Sequence, residues 1–428
     1  MKKKNYRHYV LSFGHLCSDI AHGALSAILP FLIAAYHFDY TTAAMLVMVA
    51  NIVASVIQPV FGHLADKIDN PRIMVYGVIL AGGGMALTGV LSNFTGLCIA
   101  VLISGVGSAL FHPQAAQLVN RYADEDNVGF SLGIFSFGGN LGFTLGPLLA
   151  TGSIAVFGLK GTLIFFVPAA IFGVLSTKFF PKPPKAPKLQ SSADTSAPGI
   201  SASRISAAET SDAESSATET SAAGDSPALC TPKYKDRWGA FAKLGVLICF
   251  RSIVYTGIGT FLVLYLVDNM GQTEAIGNLS LSFYYGVSAL AALFGGKLAD
   301  NFGHRKTVWL SFAILLPSII IFTVSGSFWL CLLMLIPMGA GLNIGYSPLV
   351  LMGQRYLPNH IGFASGITLG LIVSVGGIFT PILGKIGDTY GLTATFVAVC
   401  AVCAFSFILS LFLSDAELVE IDTEKVES

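Results

Sequence analysis

Gly62-His63-Leu64-Ala65-Asp66 returns 234 residues later as Gly296-Lys297-Leu298-Ala299-Asp300. Gly105-Val106-Gly107 returns at the same offset as Gly339-Ala340-Gly341, and Arg121-Tyr122 as Arg355-Tyr356. Pro147 and Pro381 keep the offset, and Gly129-Phe130 recurs as Gly362-Phe363 with a slip of one residue. Anchors at one offset over most of a chain mark two copies of one structural unit.

Between the anchors the chain is apolar. Its 428 residues are 54% hydrophobic and only 11% charged, with mean hydropathy +0.71. A soluble domain carries about 25% charged residues. A bilayer core of about 30 Å needs about 20 apolar residues of helix. Twelve such runs lie near 9–35, 41–61, 73–91, 96–120, 128–151, 159–179, 241–267, 275–296, 307–325, 328–353, 361–386 and 391–413. No period-two alternation supports a barrel. The fold expected is an all-α membrane protein of twelve transmembrane helices in two pseudo-symmetric six-helix halves, 1–180 and 239–414. Between them, 25 of the 40 residues in 189–228 are Ser, Ala or Thr. Such a segment buries no core, so 181–238 reads as a disordered linker, and 415–428 as an acidic tail.

Charge gives orientation and exclusions. Lys+Arg and Asp+Glu are 24 each, so no field for nucleic acid is expected. With both termini cytoplasmic, 21 of the 24 cations fall on the cytoplasmic side and two, Lys160 and Lys385, outside. The expected site is the inner (plasma) membrane, with the Lys-rich N-terminus against anionic lipid. The first apolar run is too long for a cleavable signal peptide. No cofactor, metal or enzymatic motif stands out: neither H-E-x-x-H nor a nucleotide-binding G-x-x-x-x-G-K-[ST] is present, and the seven Cys lack zinc-ligand spacing. Cys400 and Cys403 sit in an apolar helix, where packing is the simpler reading than a redox pair.

Two parallel repeats of this kind suggest a transporter whose halves rock about a site near mid-membrane. The loop Gly62-x-Leu64-Ala65-Asp66, with its twin Gly296-x-Leu298-Ala299-Asp300-x-x-Gly303-x-Arg305-Lys306, resembles the signature loop of the major facilitator superfamily. Four further motifs resemble its fosmidomycin-resistance branch. They are His15-x-x-x-Asp19, Phe111-His112-Pro113, Gly138-Gly139-Asn140-x-Gly142-x-x-x-Gly146-Pro147, and Leu357-Pro358-x-x-Ile361-Gly362-x-x-Ser365-Gly366. The resemblance implies a proton-coupled antiporter exporting small toxic or drug-like compounds. The runner-up is a proton symporter importing an organic anion or sugar, and a membrane sensor without transport is the alternative of another class. The partners implied are a small-molecule substrate, protons and lipid; the fold needs no second subunit, so a monomer is expected. Asp69-Asn70-Pro71 departs from the Gly and Arg the superfamily favours, so the first gate is expected to be weaker than its twin. Span four also lacks the buried Arg of many proton-coupled drug antiporters, and Arg355 stands where branch relatives tend to be acidic.

An ionised side chain at the bilayer centre costs about 2.5–3.5 kcal/mol, so it needs a reason. Only Asp19 and Arg251 lie that deep. The 234-residue offset maps Arg251 onto Cys17, within a turn of Asp19, so the pair is expected to face each other across a central cavity. Ser12, His15, Asp19, His22 and Ser26 are spaced 3, 4, 3 and 4, which puts them on one helical stripe. That stripe reads as a proton-titrating cavity wall built on Asp19, His15 and His22, or as a static polar network that locks helix packing. Arg251 reads as a forked anchor for a carboxylate or phosphonate, or as the ion-pair partner of Asp19. His112 precedes a helix-interrupting proline; it faces the cavity or bonds a freed carbonyl. Tyr255, Gln114 and Asn140 join Arg251 and His112 as candidate cavity residues.

Asp66 and Asp300 sit at cytoplasmic helix ends. With Gly62, Gly296, Arg72, Arg305 and Lys306 they read as an inner gate of helix caps and loop ion pairs. Gly142, Gly146 and Pro147 read as a helix-packing stripe. Shortening 190–228 to a brief Gly/Ser segment is expected to leave transport largely unchanged, because the linker need only keep its ends in reach. Lost transport at normal expression would instead make the segment a regulator.

Overall fold

The computed structural model describes residues 6–67, 70–122, 128–180 and 234–415, and among these it is helical nearly throughout. The first half holds α1 (Arg7–Tyr36), α2 (Tyr40–Lys67), α3 (Arg72–Leu87), α4 (Phe94–Tyr122), α5 (Val128–Phe157) and α6 (Phe166–Phe179). The second holds α7 (Trp238–Asp268), α8 (Glu274–Phe302), α9 (His304–Val324), α10 (Phe328–Ile344), α11 (Tyr346–Tyr356), α12 (Ile361–Tyr390) and α13 (Leu392–Leu411). α10 and α11 are one span broken at Gly345. The chain thus crosses twelve times in two six-span halves, with only helices because a bilayer leaves no water to satisfy open backbone. Large apolar side chains such as Val174, Leu293, Phe294 and Trp329 face outward, as a lipid-facing surface requires.

Small residues set how closely spans approach. A Cβ at Gly142 would lie 2.7 Å from the Leu16 carbonyl oxygen, and one at Gly146 2.6 Å from that of Ile20. In the second half a Cβ at Gly376, 234 residues after Gly142, would press on Ser252 of α7 in the same way. Gly107 and Gly341, at the same offset, likewise press α4 on α3 and α10 on α9. Pro147 lies inside α5, and the Thr151 hydroxyl donates to its carbonyl at 2.9 Å. Gly158 and Gly391 both adopt positive φ, 59° and 84°, at the turns after α5 and α12. Only glycine takes that conformation without strain.

Seen from the termini, the halves meet from the middle of the bundle to its far end. Asn278 of α8 donates to the Ala27 carbonyl of α1 at 3.0 Å and to Thr151 of α5 at 2.8 Å. Thr380 of α12 donates to Ala44 of α2 at 3.2 Å. At the far end Asp388 of α12 accepts from the Tyr40 and Thr41 amides at 2.7 and 3.0 Å and from the Thr41 hydroxyl. Tyr40 donates in turn to Asp268 of α7 at 2.6 Å. One carboxylate from the second half thus caps a helix of the first. Asp39 adds a local cap, accepting from the Thr42 amide at 2.8 Å, and the Thr42 hydrogen bonds hold its carboxyl below the usual range. Asp388→Ala is expected to loosen this end. Spin labels on α2 and α12 should then show a longer far-end distance in part of the population; an unchanged distribution would make the cap incidental.

At the opposite end Arg237 donates its backbone N–H to the Tyr356 carbonyl at 2.7 Å, so 234–237, the last of the expected linker, lie against α11. The rest of the linker, 181–233, and the tail from 416 lie outside the described residues.

Candidate functional site

The polar stripe of α1 faces inward, onto α4 and α5. Ser12 donates to the Ile134 carbonyl of α5 at 2.7 Å. His15 stacks on Phe135, with ring centroids 4.2 Å apart, and its Nδ1 meets the Phe135 carbonyl oxygen at 2.8 Å. Its other nitrogen, Nε2, lies 3.2 Å from Asp19 Oδ2. His112 approaches from α4: its Nε2 is 3.2 Å from Asp19 Oδ1, and its Nδ1 meets the Ser108 carbonyl oxygen at 2.8 Å. That carbonyl is one residue before Ala109, the one that Pro113 leaves without its helical donor. His112 therefore faces the cluster and bonds its own helix at once. Asp19 is 5% exposed.

Each Nδ1 faces a carbonyl, which only accepts, so each imidazole carries N–H at Nδ1. Each Nε2 then faces a carboxyl oxygen, and each of those contacts closes when one proton lies between nitrogen and oxygen. Glycine keeps the space beside them open. A Cβ at Gly139 would stand 2.5 Å from His15 Nε2 and 2.8 Å from Asp19 Oδ2.

Further along the stripe, His22 packs edge-on against Phe143 at 5.5 Å and lies within electrostatic reach of Asp19 without bonding it. Ser26 meets Tyr285 of α8.

Among the described residues Arg251 makes no ion pair with Asp19 within 4.0 Å. It is 2% exposed, and its Nη2 donates to the Leu342 carbonyl at 2.6 Å. Leu342 is in the last turn of α10, whose closing carbonyls lack in-helix donors, so Arg251 caps the broken span. Nη1 is buried with no hydrogen-bond partner among the described residues. The expected ion pair with Asp19 is not formed among the described residues: the two charges take different partners. Cys17, the counterpart of Arg251, turns to the Pro168 carbonyl of α6 at 3.4 Å, while Asp19, two residues on and about 200° around the helix, turns to α4. Tyr255 is in electrostatic range of both Asp19 and Arg251. Gln114 is buried, and among the described residues its Oε1 has no hydrogen-bond partner. Asn140 donates to the Ser136 carbonyl of its own helix at 3.2 Å.

The expected gate residues lie at the helix ends near the termini. Gly62 and Asp66 are in the last turns of α2, where the side chains lie outside the described residues. Arg72 opens α3, its amide donating to Asn70 Oδ1 at 3.1 Å. Asp300 and Lys306 are exposed, and among the described residues Asp300 has no ion pair within 4.0 Å. Arg305 instead stacks over Trp309 at 4.5 Å, donates to the Leu411 carbonyl at 3.1 Å and pairs with Asp415 at 3.6 Å. A Cβ at Gly296 would touch nothing, whereas one at Gly295 would stand 2.5 Å from the Ile344 carbonyl oxygen. Gly295 was not singled out because adjacent glycines look alike until a neighbouring helix is placed.

Two six-span halves packed around buried polar side chains are the architecture of a polytopic membrane transport protein. A sequence profile of the Major Facilitator Superfamily matches residues 11–369 and, in register with the second half, 244–426. The chain belongs to that superfamily. It is 25% identical over 406 residues to the fosmidomycin resistance protein of Escherichia coli (strain K12), covering 95% of this chain and 92% of that one. It is 22% identical over 392 residues to the nitrite extrusion protein of Bacillus subtilis (strain 168), covering 91% and 89%. The fold superposes with TM-score 0.74 on a bacterial homolog of the human lysosomal transporter Spinster, solved inward-facing and occupied, at 14% identity and covering 96% and 97% of the two chains.

Proposed function

We propose that this chain is a proton-coupled antiporter that exports small toxic or drug-like compounds from the cytoplasm, working as a monomer in the plasma membrane with both termini inside. The observation that carries the reading is the buried carboxylate of Asp19 bridging His15 of its own helix and His112 of α4. With both contacts closed the three side chains hold two exchangeable protons. Loss of one leaves a bare nitrogen lone pair against a carboxylate oxygen, and that contact opens. His112 is the partner on another helix, so the α1–α4 connection tracks proton occupancy. The other titratable side chains facing Asp19 are His22 of α1 and Tyr255 of α7; α5 contributes carbonyls and glycines.

Arg251 supplies the second element: a buried cation with one N–H edge unpaired, suited to an anionic group on the substrate. Tyr255, in electrostatic range of both Arg251 and Asp19, is the side chain through which substrate charge and proton occupancy act on each other. Hydrogen bonds join the halves at the far end, which favours exchange from the end that carries the termini. Asp66, Asp300, Arg72, Arg305 and Lys306 close that end in the alternate state. Export in particular is supported by the likeness to proteins named for fosmidomycin resistance and nitrite extrusion.

The test is flux into inverted membrane vesicles under an imposed pH gradient. Uptake driven by an acidic interior supports export by exchange with protons. Uptake driven by the reverse gradient would make the chain a symporter, and flux indifferent to pH would remove the proton.

A further inference from the structure

We infer that His15, Asp19 and His112 form a binding site for a divalent transition-metal ion of the zinc class. The inference stands on the geometry of three side chains, independently of whether protons exchanged there drive transport.

Two imidazoles and one carboxylate, with positions left open, make a ligand set suited to divalent transition metals. The ligand atoms all lie within 4.8 Å of one another, and each Nε2–carboxylate separation is 3.2 Å. Ligands about 2.0–2.1 Å from a tetrahedral ion stand about 3.3 Å apart, close to the two 3.2 Å contacts, and a ring or carboxylate rotation closes the wider separations around one ion. Metal-binding histidines characteristically give their second N–H to a carbonyl or carboxylate, which turns the free lone pair to the ion. Both do so here, His15 to Phe135 and His112 to Ser108, at 2.8 Å each. Those carbonyls come from two different helices, so both rings are aimed before any ion arrives.

Room and access are also present. The bare Cα of Gly139 leaves unfilled the space against His15 Nε2 and Asp19 Oδ2 that any other residue would occupy. The His112 side chain is 26% exposed, which opens one side of the cluster. Charge favours a cation as well: the Asp19 carboxylate, in contact with both rings, offsets part of the desolvation cost of burying a dication there.

The probe is Zn2+ titrated into the tag-free full-length protein in detergent, followed by calorimetry and by thermal unfolding. One ion per chain is expected, with Tm raised by mass action and affinity increasing as pH rises. His112→Gln, which removes the ligating imidazole, is expected to weaken Zn2+ by at least the roughly 10–100-fold that loss of even an outer partner costs. Asp19→Asn should do the same. His360→Gln is the control, because His360 with Asp236 at 3.5 Å is a separate surface histidine–carboxylate contact; it should leave binding unchanged. Absent Zn2+ binding, affinity indifferent to pH, or binding lost in His360→Gln but kept in folded His112→Gln would each overturn the site. None of those results would touch the vesicle experiment, which reads proton coupling alone.

Discussion

Asp19→Asn is expected to abolish gradient-driven transport while leaving the protein folded and inserted. The amide has nearly the shape of the carboxylate, so α1, α4 and α5 can keep their packing around Gly139 and Gly142. Its oxygen accepts from one imidazolium and its NH2 donates to the other, neutral imidazole. That arrangement holds the proton count at one fixed value, because no carboxylate remains to compensate a second imidazolium. A one-unit pH gradient stores about 1.4 kcal/mol per proton, enough for about tenfold accumulation with one proton exchanged. The wild type should approach that ratio, and Asp19→Asn should fall to equal concentrations on both sides. Substrate still equilibrates down its own gradient, so vesicle counter-flow separates lost coupling from lost binding. Accumulation retained by the variant would mean that the proton travels elsewhere.

Arg251→Lys carries the second large effect. An ammonium on a flexible stem cannot both cap the Leu342 carbonyl and present a planar fork to a ligand. Hydrogen bonds to charged groups contribute about 1.5–3 kcal/mol, so anionic substrates should bind roughly 10–100-fold more weakly. Neutral substrates should change little. Arg251→Ala should lose both roles and destabilise the protein by about 1–3 kcal/mol, through the carbonyl left unsatisfied at the α10–α11 break. The pH profile of transport should stay in place for both variants, because Asp19 takes its partners from histidines and not from Arg251. A shifted profile would restore an Asp19–Arg251 pairing, and unchanged affinity for anions would leave Arg251 a helix cap alone.

The sequence by itself determined the span count, the two-fold repeat and the depth of each charge. Hydrophobic run length is set by bilayer thickness, and a repeat offset is a property of the chain, so neither needs a partner helix to be read. The stripe from Ser12 to Ser26 was legible for the same reason: helical spacing puts those residues on one face, and no bilayer accepts that face. The glycine run of α5 was legible as a packing surface because small residues at four-residue spacing line one side of a helix. Partner choice was not legible. Asp19 and Arg251 agree in depth, which sequence reports, but take different partners, which only packing reveals. His112 is 97 residues from His15, and nothing in spacing links them until α4 is laid against α1. Likewise Leu342 needs a capping cation only because the tenth span breaks at Gly345, a backbone event the apolar run conceals. Which side chains share protons, ions or substrate depends on direction around each helix and on which neighbour stands there, and tertiary structure alone decides that.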